Sequence, residues 1–281
     1  VANTASIQAN GLPSTDPELL ENEIIFEGDR LEPEFSDIPG QWGTIWLTQG
    51  STNNHFNHTT IKNNIVGILM DSNDGDRTLT LENVQIYNSA NVGLLARTAN
   101  IYGENVVINN AGQTALACSL GGTYEFNHCT FANYWTQSFR SFPAVQIDNF
   151  LPISDTQILV EDLTQATFRN CIIYGNEMRE LSLINASEAA FNFEFENCLI
   201  RFEDPNGDFS DNPDYDFTNV NLYPSTLLNA DPNFQNTALN NFNIEQGTSA
   251  AEGIGNTQTA IQVPIDLNGV TRDTNAPDAG A

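Results

Sequence analysis

Hydrophobic and polar positions alternate along most of the chain in short phrases that return at a nearly constant spacing. Each phrase opens with an asparagine or a histidine and continues with apolar or β-branched residues, as in Asn83-Val84-Gln85-Ile86. The openings are His58, Asn83, Asn105, His128, Asn170, Asn197 and Asn219. They lie 22 to 27 residues apart, except for one interval of 42 residues. A fixed period in the low twenties is typical of a solenoid, in which each repeat buries its apolar side only against its neighbours.

Two more strand-like phrases accompany each repeat, such as LTLEN (79–83) before the asparagine phrase and VGILMD (66–71) in the position after it. Three short strands per repeat, alternating with period two, predict an all-β fold: a single-stranded parallel β-helix of about 22–27 residues per rung. The predicted inward positions of the first strand are Leu81, Phe126, Phe168, Phe195 and Phe217. Those of the second strand are Val84, Val106, Cys129, Cys171, Cys198 and Val220, followed two residues later by Ile86, Ile108, Phe131, Ile173, Ile200 and Leu222.

The opening asparagines precede the second strand, where the chain turns a corner. A short amide tolerates left-handed backbone geometry, and identical amides stacked rung on rung can bond each other. His58 and His128 take the same position, so we interpret them as corner residues rather than as catalytic or ligand histidines. The cysteines Cys129, Cys171 and Cys198 stand where other rungs place valine, and Cys118 shares the column of Met70, Ala96 and Ile147. Rungs about 4.8 Å apart leave too much space for relaxed disulfides, so we predict buried free thiols.

The organisation predicted for residues 1–281 is a single β-helix domain in three parts. Residues 1–21 form an irregular lead-in, 22–230 the rungs, and 231–281 a C-terminal closing module. The 42-residue interval holds an insertion around 134–165, where YWTQSFRSF (134–142), Pro143 and Pro152 indicate loops that leave the helix. Long loops on rigid solenoids usually carry function. Because the chain opens at Val1 without a methionine, we expect a mature or trimmed fragment whose targeting segment is lost.

From residue 22 to residue 230 the pattern resembles the right-handed parallel β-helix proteins of the pectin-lyase-like superfamily. Residues 231–281 show a more specific resemblance. Its phrases are Asp231-Pro232-Asn233-Phe234, Asn241-Phe242-Asn243-Ile244, Gly247-Thr248-Ser249-Ala250-Ala251, Asp266-Leu267-Asn268-Gly269 with Arg272, and Ala276-Pro277-Asp278-Ala279-Gly280-Ala281. This order is similar to the closing module of bacterial surface β-helix proteins, many from the Bacteroidetes. The resemblance implies a right-handed helix and an extracellular or outer-membrane surface location. It does not by itself imply catalysis.

Charge narrows the choice of partner. Lys and Arg number 9 against 36 Asp and Glu, which gives a formal net charge of -27. A nucleic acid would be repelled, as would a uronate-rich polysaccharide unless divalent cations bridge the two surfaces. Neutral or cationic partners fit better. The sequence contains no apolar run of about 18 residues, so we predict no membrane span in this segment.

The chemistry that enzymes of this fold require is weakly represented. A polysaccharide lyase needs a Lys or Arg base and a cation, yet Lys62 is the only lysine and the eight arginines fall on different faces. The polygalacturonase-type phrases Asn-Thr-Asp, Asp-Asp and Gly-His-Gly do not occur. Carboxylates do follow one strand face, where they form either a solvated acidic face or a carboxylate pair. They are Glu82, Glu104, Glu125, Glu194, Glu196 and Asp216.

Two further sets of residues, acidic turns and outward tyrosines, are candidates for ligand binding. Acidic turns at 71–76 and at Asp204, Asn206, Asp208, Asp211 and Asp214 offer oxygen ligands for Ca²⁺ or are ordinary solvated turns. Tyr87, Tyr174 and Tyr223 share one register position and could stack on neutral sugar rings.

The third strand gives the most specific expectation. With Ile68, Leu94, Leu116, Val145 and Leu183 inward, alternation predicts two outward rows of small and aliphatic residues. The first row is Gly67, Gly93, Ala115, Ala144 and Ser182, and the second is Leu69, Leu95, Ala117, Gln146 and Ile184. Such a strip is covered either by a protein partner or by this chain's own insertion or closing module. We predict a surface scaffold that binds a protein through Leu69, Leu95, Ala117 and Ile184 together with Tyr134 and Trp135 of the insertion. The alternative is a carbohydrate-active enzyme or glycan-binding protein acting on a neutral or Ca²⁺-bridged polysaccharide.

Overall fold

The computed structural model describes residues 1–15, 19–73, 75–154 and 156–281. Their strands, in chain order, are β1 (Gln8–Asn10), β2 (Ile24–Phe26), β3 (Ile45–Leu47), β4 (Asn54–Lys62), β5 (Val66–Met70), β6 (Leu79–Ser89), β7 (Val92–Ala111), β8 (Leu116–Asn127), β9 (Thr130–Asn133), β10 (Val145–Asp148), β11 (Phe150–Ser154), β12 (Gln157–Val160), β13 (Leu163–Arg169), β14 (Ile172–Gly175), β15 (Leu181–Ile184), β16 (Phe191–Glu196), β17 (Leu199–Ile200), β18 (Leu227–Leu228), β19 (Phe234–Asn236) and β20 (Asn241–Ile244). One short helix, α1, spans Thr257–Gln262, and single 3₁₀ turns lie at Pro33–Phe35, Pro213–Tyr215 and Thr237–Leu239. No described helix is long and apolar enough to cross a membrane.

Parallel pairing between successive rungs closes these strands into a β-helix with three sheets, as predicted. Sheet 1 contains β1, the first halves of β4 and β6, the central part of β7, the end of β8, and then β13 and β16. Sheet 2 contains β2, the second halves of β4 and β6, the end of β7, and β9, β14, β17 and β18. Sheet 3 contains β3, β5, the starts of β7 and β8, β10 and β15.

The core is built from the predicted inward columns. In sheet 1 the rings of Phe126, Phe168 and Phe195 stack with centroids 5.3 and 4.8 Å apart. In sheet 2 the isoleucine column and Phe131 are fully buried. The four cysteines are buried and free, and Met70, Ala96, Cys118 and Ile147 pair in one column. The thiols of the other three each donate to the carbonyl two residues earlier, at 3.3–3.4 Å. Both predictions about the cysteines are therefore confirmed.

The corner interpretation is also confirmed. Asn83, Asn105 and His128 have φ values of 56°, 51° and 49°, which lie in the left-handed region. Neighbouring rungs bond through these side chains: Asn105 Nδ2 donates to Asn83 Oδ1 at 2.9 Å, and Asn170 Nδ2 lies 2.9 Å from His128 Nε2. The histidines therefore serve as corner residues.

The predicted last rung is wrong. Residues 213–224 do not continue the strands, and Val220, predicted to face inward, is 73% exposed. The strand that pairs with β17 is β18, because Leu199 faces Leu227. Phe217 instead joins Phe202, Phe209, Tyr215 and Tyr223 in an aromatic cluster, and Leu222 also packs against the core. This cluster closes the C-terminal end of the core, so the phrase at Asn219 imitates the repeat without forming a rung.

The insertion consists of two excursions separated by a regular strand. The first, 134–144, is a loop, as predicted, and the second is the antiparallel hairpin of β11 and β12. Between them β10 takes its ordinary place in sheet 3.

The C-terminal module lies against the outer side of sheet 2. Ala251 and Ala279 pack on Ile172 and Leu199. Phe242 packs on Val107 and Ala132, together with Tyr134. Sheet 2 is therefore covered over part of its outer side by the same chain.

Candidate functional site

The first excursion of the insertion, residues 134–144, is anchored by a buried ion pair between Arg140 and Glu180. The guanidinium of Arg140 donates to both carboxylate oxygens of Glu180, at 2.7 and 3.0 Å, and the side chains are only 1% and 0% exposed. Arg140 also donates to the carbonyl of Asn133 at 2.8 Å and to Asn176 Oδ1 at 2.6 Å. Glu180 accepts the backbone N–H groups of Ala144 and Glu177 at 2.7 and 2.8 Å. Burial raises the pKa of the Glu180 carboxyl, and the bonds from Arg140 and the two amides offset part of that rise.

This anchoring presents one aromatic side chain to solvent. Phe139 is 89% exposed although it lies directly before the buried Arg140. Phe142, on the same loop, and Met178, on the neighbouring loop between β14 and β15, are also exposed. Asn176 links the two loops, because its Nδ2 donates to the carbonyl of Trp135 at 2.9 Å. Phe139, Phe142 and Met178 are thus exposed apolar side chains on two loops that are linked through Asn176 and anchored by the Arg140–Glu180 pair.

The structure corrects the two insertion residues that we predicted to contact a partner. Trp135 is only 7% exposed; its ring packs against the backbone at Gly112 and its Nε1 donates to Ser138 at 2.9 Å. Tyr134 lies under the C-terminal module, with its ring centroid 6.4 and 6.2 Å from those of Phe234 and Phe242. Both are therefore used in internal packing. The outward aromatic of the loop is Phe139, which the sequence pattern did not single out.

Sheet 3 carries the aliphatic row only in part. Pairing places Trp46, Leu69, Leu95, Ala117, Gln146 and Ser182 in one outward row. Trp46 is 50% exposed, Leu69 and Leu95 are half-buried, and Ala117 is buried. Ile184 is exposed but pairs with Asp148, so it belongs to the next row. The shift arises because Leu181, not Leu183, pairs with Val145.

The row of smaller residues is not on the surface. Gly67, Gly93, Ala115 and Ala144 are buried. A Cβ atom at Gly93 would lie 2.4 Å from Ile108 Cγ2 and 2.6 Å from the carbonyl oxygen of Ala115. The backbone bends at the corner between sheets 2 and 3, so these positions face the crowded interior. Only small residues fit there, and the predicted strip is reduced to the row at Leu69 and Leu95.

The closing module does not lie on this row, because it packs against sheet 2. Leu69 and Leu95 belong to none of the apolar clusters formed by the described residues. Trp46 donates its Nε1 hydrogen to Asp71 at 2.9 Å, and Asp71 in turn faces Arg97 at 3.8 Å.

Four acidic residues of sheet 1, Glu82, Glu104, Glu125 and Glu196, have hydrogen-bond or ion-pair partners in the fold. Glu82 and Glu104 are paired residues of neighbouring rungs. Glu82 meets His55 Nε2 at 3.1 Å, and Glu104 accepts from the Tyr102 hydroxyl at 2.5 Å. Burial raises the pKa of Glu104, and the neighbouring Glu82 raises it further.

Further along the same sheet, Arg169 joins two carboxylates. Its guanidinium lies 3.0 Å from Glu125 and 3.3 Å from Glu196, beside a cavity of about 370 Å³ that α1 helps to line. Asn256 donates to Glu196 at 2.7 Å. The guanidinium and the amide thus occupy both carboxylate oxygens of Glu196 and one oxygen of Glu125.

The calcium interpretation of the 204–214 turn stays a prediction; the described residues contain no group of three or more His, Cys, Asp or Glu side chains that could hold a metal ion. Asp204 accepts the backbone N–H groups of Asp208 and Phe209 at 3.0 and 2.9 Å, so its carboxylate closes its own turn. Arg179 lies 3.6 Å from Asp208, and Asn185 donates to Asp214. Asn206 and Asp211 are exposed. In the other acidic turn, Asp74 lies outside the described residues.

The three tyrosines do not share one environment. Tyr223 is buried and stacks on Phe195 in the core. Tyr87 and Tyr174 do occupy the same outward column of sheet 2, but Tyr174 packs against the apolar cluster beneath the C-terminal module. Tyr87 alone lines an open cleft, of about 390 Å³, between sheet 2 and that module.

The module is held to the corner ladder by hydrogen bonds. Asn105 Nδ2 donates to the carbonyl of Ile265 at 2.8 Å, and Arg272 donates to Asn105 Oδ1 at 2.6 Å. Burial and the nearby Arg272 charge lower the pKa of His128 to about 3, so this histidine is neutral at physiological pH. Because the corner amides bond the module as well as each other, the module forms a fixed wall of the cleft rather than a loose appendage.

Three parallel sheets and stacked corner amides define a solenoid of the β-helix class. Residues 66–212, more than half of the chain, match the family model described as a right handed beta helix region, and the chain belongs to that family. No curated protein and no solved structure matches the chain.

Proposed function

We propose that this protein is an extracellular or outer-membrane surface scaffold that binds another protein and has no catalytic role. Phe139 is the observation that carries the proposal: a side chain that is 89% exposed on a loop whose neighbouring residue is buried in an ion pair. Burying an aromatic side chain of this kind in a partner contributes about 2–3 kcal/mol. The half-buried row of Leu69 and Leu95 on sheet 3 extends the contact, since the loop leads directly into the sheet 3 strand β10.

The chemistry of the partner follows from charge. Two copies of a chain with net charge -27 repel each other, which argues against self-association through this surface. A protein with an apolar pocket for the Phe139 ring and a basic rim satisfies both the aromatic anchor and the acidic surroundings.

Binding is favoured over catalysis because Glu82, Glu104, Glu125 and Glu196 of sheet 1 already have partners in the fold. His55, Tyr102 and Arg169 engage the carboxylates described above. The surface location rests on the resemblance of residues 231–281 to closing modules of bacterial surface proteins.

The test is purification from the native source after mild crosslinking, comparing the wild type with Phe139→Ser. We expect a specific protein to be crosslinked to the wild type and lost with Phe139→Ser, while Tm is unchanged. Val220→Ser is the matched control, because Val220 is also strongly exposed but lies near the C-terminal end of the core. If the same protein is recovered with Phe139→Ser as with the wild type, the loop is not the docking site.

A further inference from the structure

The cleft beside Tyr87 lies between two parts of the chain that the corner ladder holds together. Tyr87 and Val107 contribute from the outer side of sheet 2, and Phe242 and Asn268 from the C-terminal module. Its volume of about 390 Å³ lies within the range of small-molecule sites. The cleft is on a different sheet from Leu69 and Leu95, so it is separate from the proposed docking surface.

The lining of the cleft contains no side chain that is charged at neutral pH. Tyr87 stays protonated, because burial and the nearby Asp37 raise the pKa of its phenol. An anionic ligand would still be repelled by the carboxylates of Asp37, Glu23 and Glu27, which act on the Tyr87 phenol, and the lining offers no cation that would attract one. The expected ligand is therefore neutral.

Amide groups supply the polar part of the lining, and several have one end fixed and the other free. Asn240 accepts at Oδ1 from Asn109 at 2.9 Å, which leaves its Nδ2 without a partner among the described residues. The Nδ2 of Asn268 donates to Asn243 Oδ1 at 2.7 Å, and the Oδ1 of Asn268 likewise has no partner among the described residues. The side-chain amide of Gln85 makes no hydrogen bond within the described part of the chain. Amides oriented in this way can both donate to and accept from hydroxyl groups.

We propose that the cleft binds a segment of a neutral oligosaccharide, with a sugar ring lying against Tyr87. A pyranose has an apolar C–H face that suits an aromatic ring and hydroxyl groups around its edge that suit amides. Val107, Phe242 and Leu239 add apolar surface. This ligand is distinct from the protein partner proposed above. Its binding does not depend on Phe139.

The probes are neutral hexasaccharides of β-1,4-glucan, β-1,3-glucan, mannan and xylan, with an oligomannose glycan released from glycoprotein as a separate arm. Oligogalacturonate is the charged comparison. Titration calorimetry and saturation-transfer NMR should detect binding of at least one neutral probe and none of oligogalacturonate. The arm that binds distinguishes a polysaccharide from a glycoprotein source.

Variants then locate the binding. Tyr87→Ala should weaken it by about tenfold or more, whereas Tyr87→Phe should keep most of it because the ring remains. Asn268→Ala, at an exposed position of the module, provides a second test if Tyr87→Ala folds poorly. Gln85→Ala, which removes an amide from the lining, should also weaken binding, whereas Gln165→Ala on sheet 1, outside the cleft, should leave it unchanged.

Phe139→Ser should leave sugar binding intact, so failure of the docking proposal would not affect this result. The inference is overturned if no neutral probe binds at millimolar concentration. It is also overturned if a probe binds equally well to the wild type, Tyr87→Ala and Asn268→Ala.

Discussion

Replacing Arg140 with methionine tests whether the buried ion pair holds the insertion loop. Methionine has a similar length and packs well, so the main change is the loss of the positive charge opposite Glu180. The Glu180 carboxylate is fully buried and would keep only the backbone donors of Ala144 and Glu177. Removing one partner of a buried pair costs about 3–5 kcal/mol. We expect a loss of that size at neutral pH.

The loss should depend on pH, with a sign that follows from Glu180. Burial already raises its pKa above the ordinary value of 4.5, and Arg140→Met removes the largest opposing effect. A folded-state pKa above the unfolded value means that the variant has its full stability below about pH 4.5 and loses stability as pH rises through the folded pKa. The slope is at most about 1.4 kcal/mol per pH unit. Between pH 5 and pH 7 the variant should therefore lose stability relative to the wild type, by at most about 2.8 kcal/mol.

The assay is urea denaturation at several pH values, followed by fluorescence of Trp135 and by hydrogen exchange of residues 134–144. Trp135 is informative because its carbonyl bonds Asn176, which also bonds Arg140. The double variant Arg140→Met with Glu180→Gln is the control. Glutamine carries no charge, and its single side-chain oxygen keeps an acceptor for one of the two amides, so part of the stability should return and the extra pH dependence should disappear. A loss in Arg140→Met that is below about 1 kcal/mol, or that is the same at pH 5 and pH 7, would refute the role assigned to the pair.

Two more predictions concern the core. Gly93→Ala should lower Tm strongly, because the added Cβ would lie 2.6 Å from the backbone oxygen of Ala115. Gly43→Ala is the control and should change Tm little, because no atom lies within 4 Å of the added Cβ. Equal melting temperatures of the two variants would contradict the corner packing. Cys171→Val should alter the free energy of unfolding by less than about 1.5 kcal/mol, because valine fills the same column in other rungs. The thiols of the wild type should react with a thiol reagent only after denaturation. Rapid reaction in native buffer would count against their burial.

The sequence was sufficient to predict the repeating part of the fold, because every rung of a solenoid has the same local structural requirements. Each rung needs an inward column and a residue that tolerates left-handed geometry at the corner, and both recur at fixed spacing. Two errors arose where a local pattern had more than one solution. Leu181 and Leu183 have the same parity and type, so alternation could not choose between them, and the pairing with Val145 decided it. The phrase at Asn219 has the right composition, but Ser225 takes the left-handed corner instead.

The residues of the two proposed binding sites were less predictable, because their arrangement depends on contacts between segments distant in sequence. Arg140 and Glu180 are 40 residues apart, and neither has a periodic position that suggests a partner. The cleft at Tyr87 exists only because the C-terminal module lies on sheet 2, and the module has no repeat that would place it. Tyr87 was identified from its column, whereas the amides opposite it, such as Asn268, were not.

Burial of the small residues changes the expected docking mode. A strip of two outward rows would have allowed a broad, flat contact in which area contributes most of the affinity. With Gly67 and Gly93 facing the interior, the surface keeps one row in which Leu69 and Leu95 are half-buried and gain little more on binding. Affinity must then depend on a small number of anchors, and Phe139 has by far the most surface left to bury. An anchor is effective only if it is held in place before binding, since ordering a loose loop would consume much of the gain. The Arg140–Glu180 pair does this directly beneath Phe139, so weakening the pair should weaken docking even though neither residue would touch the partner.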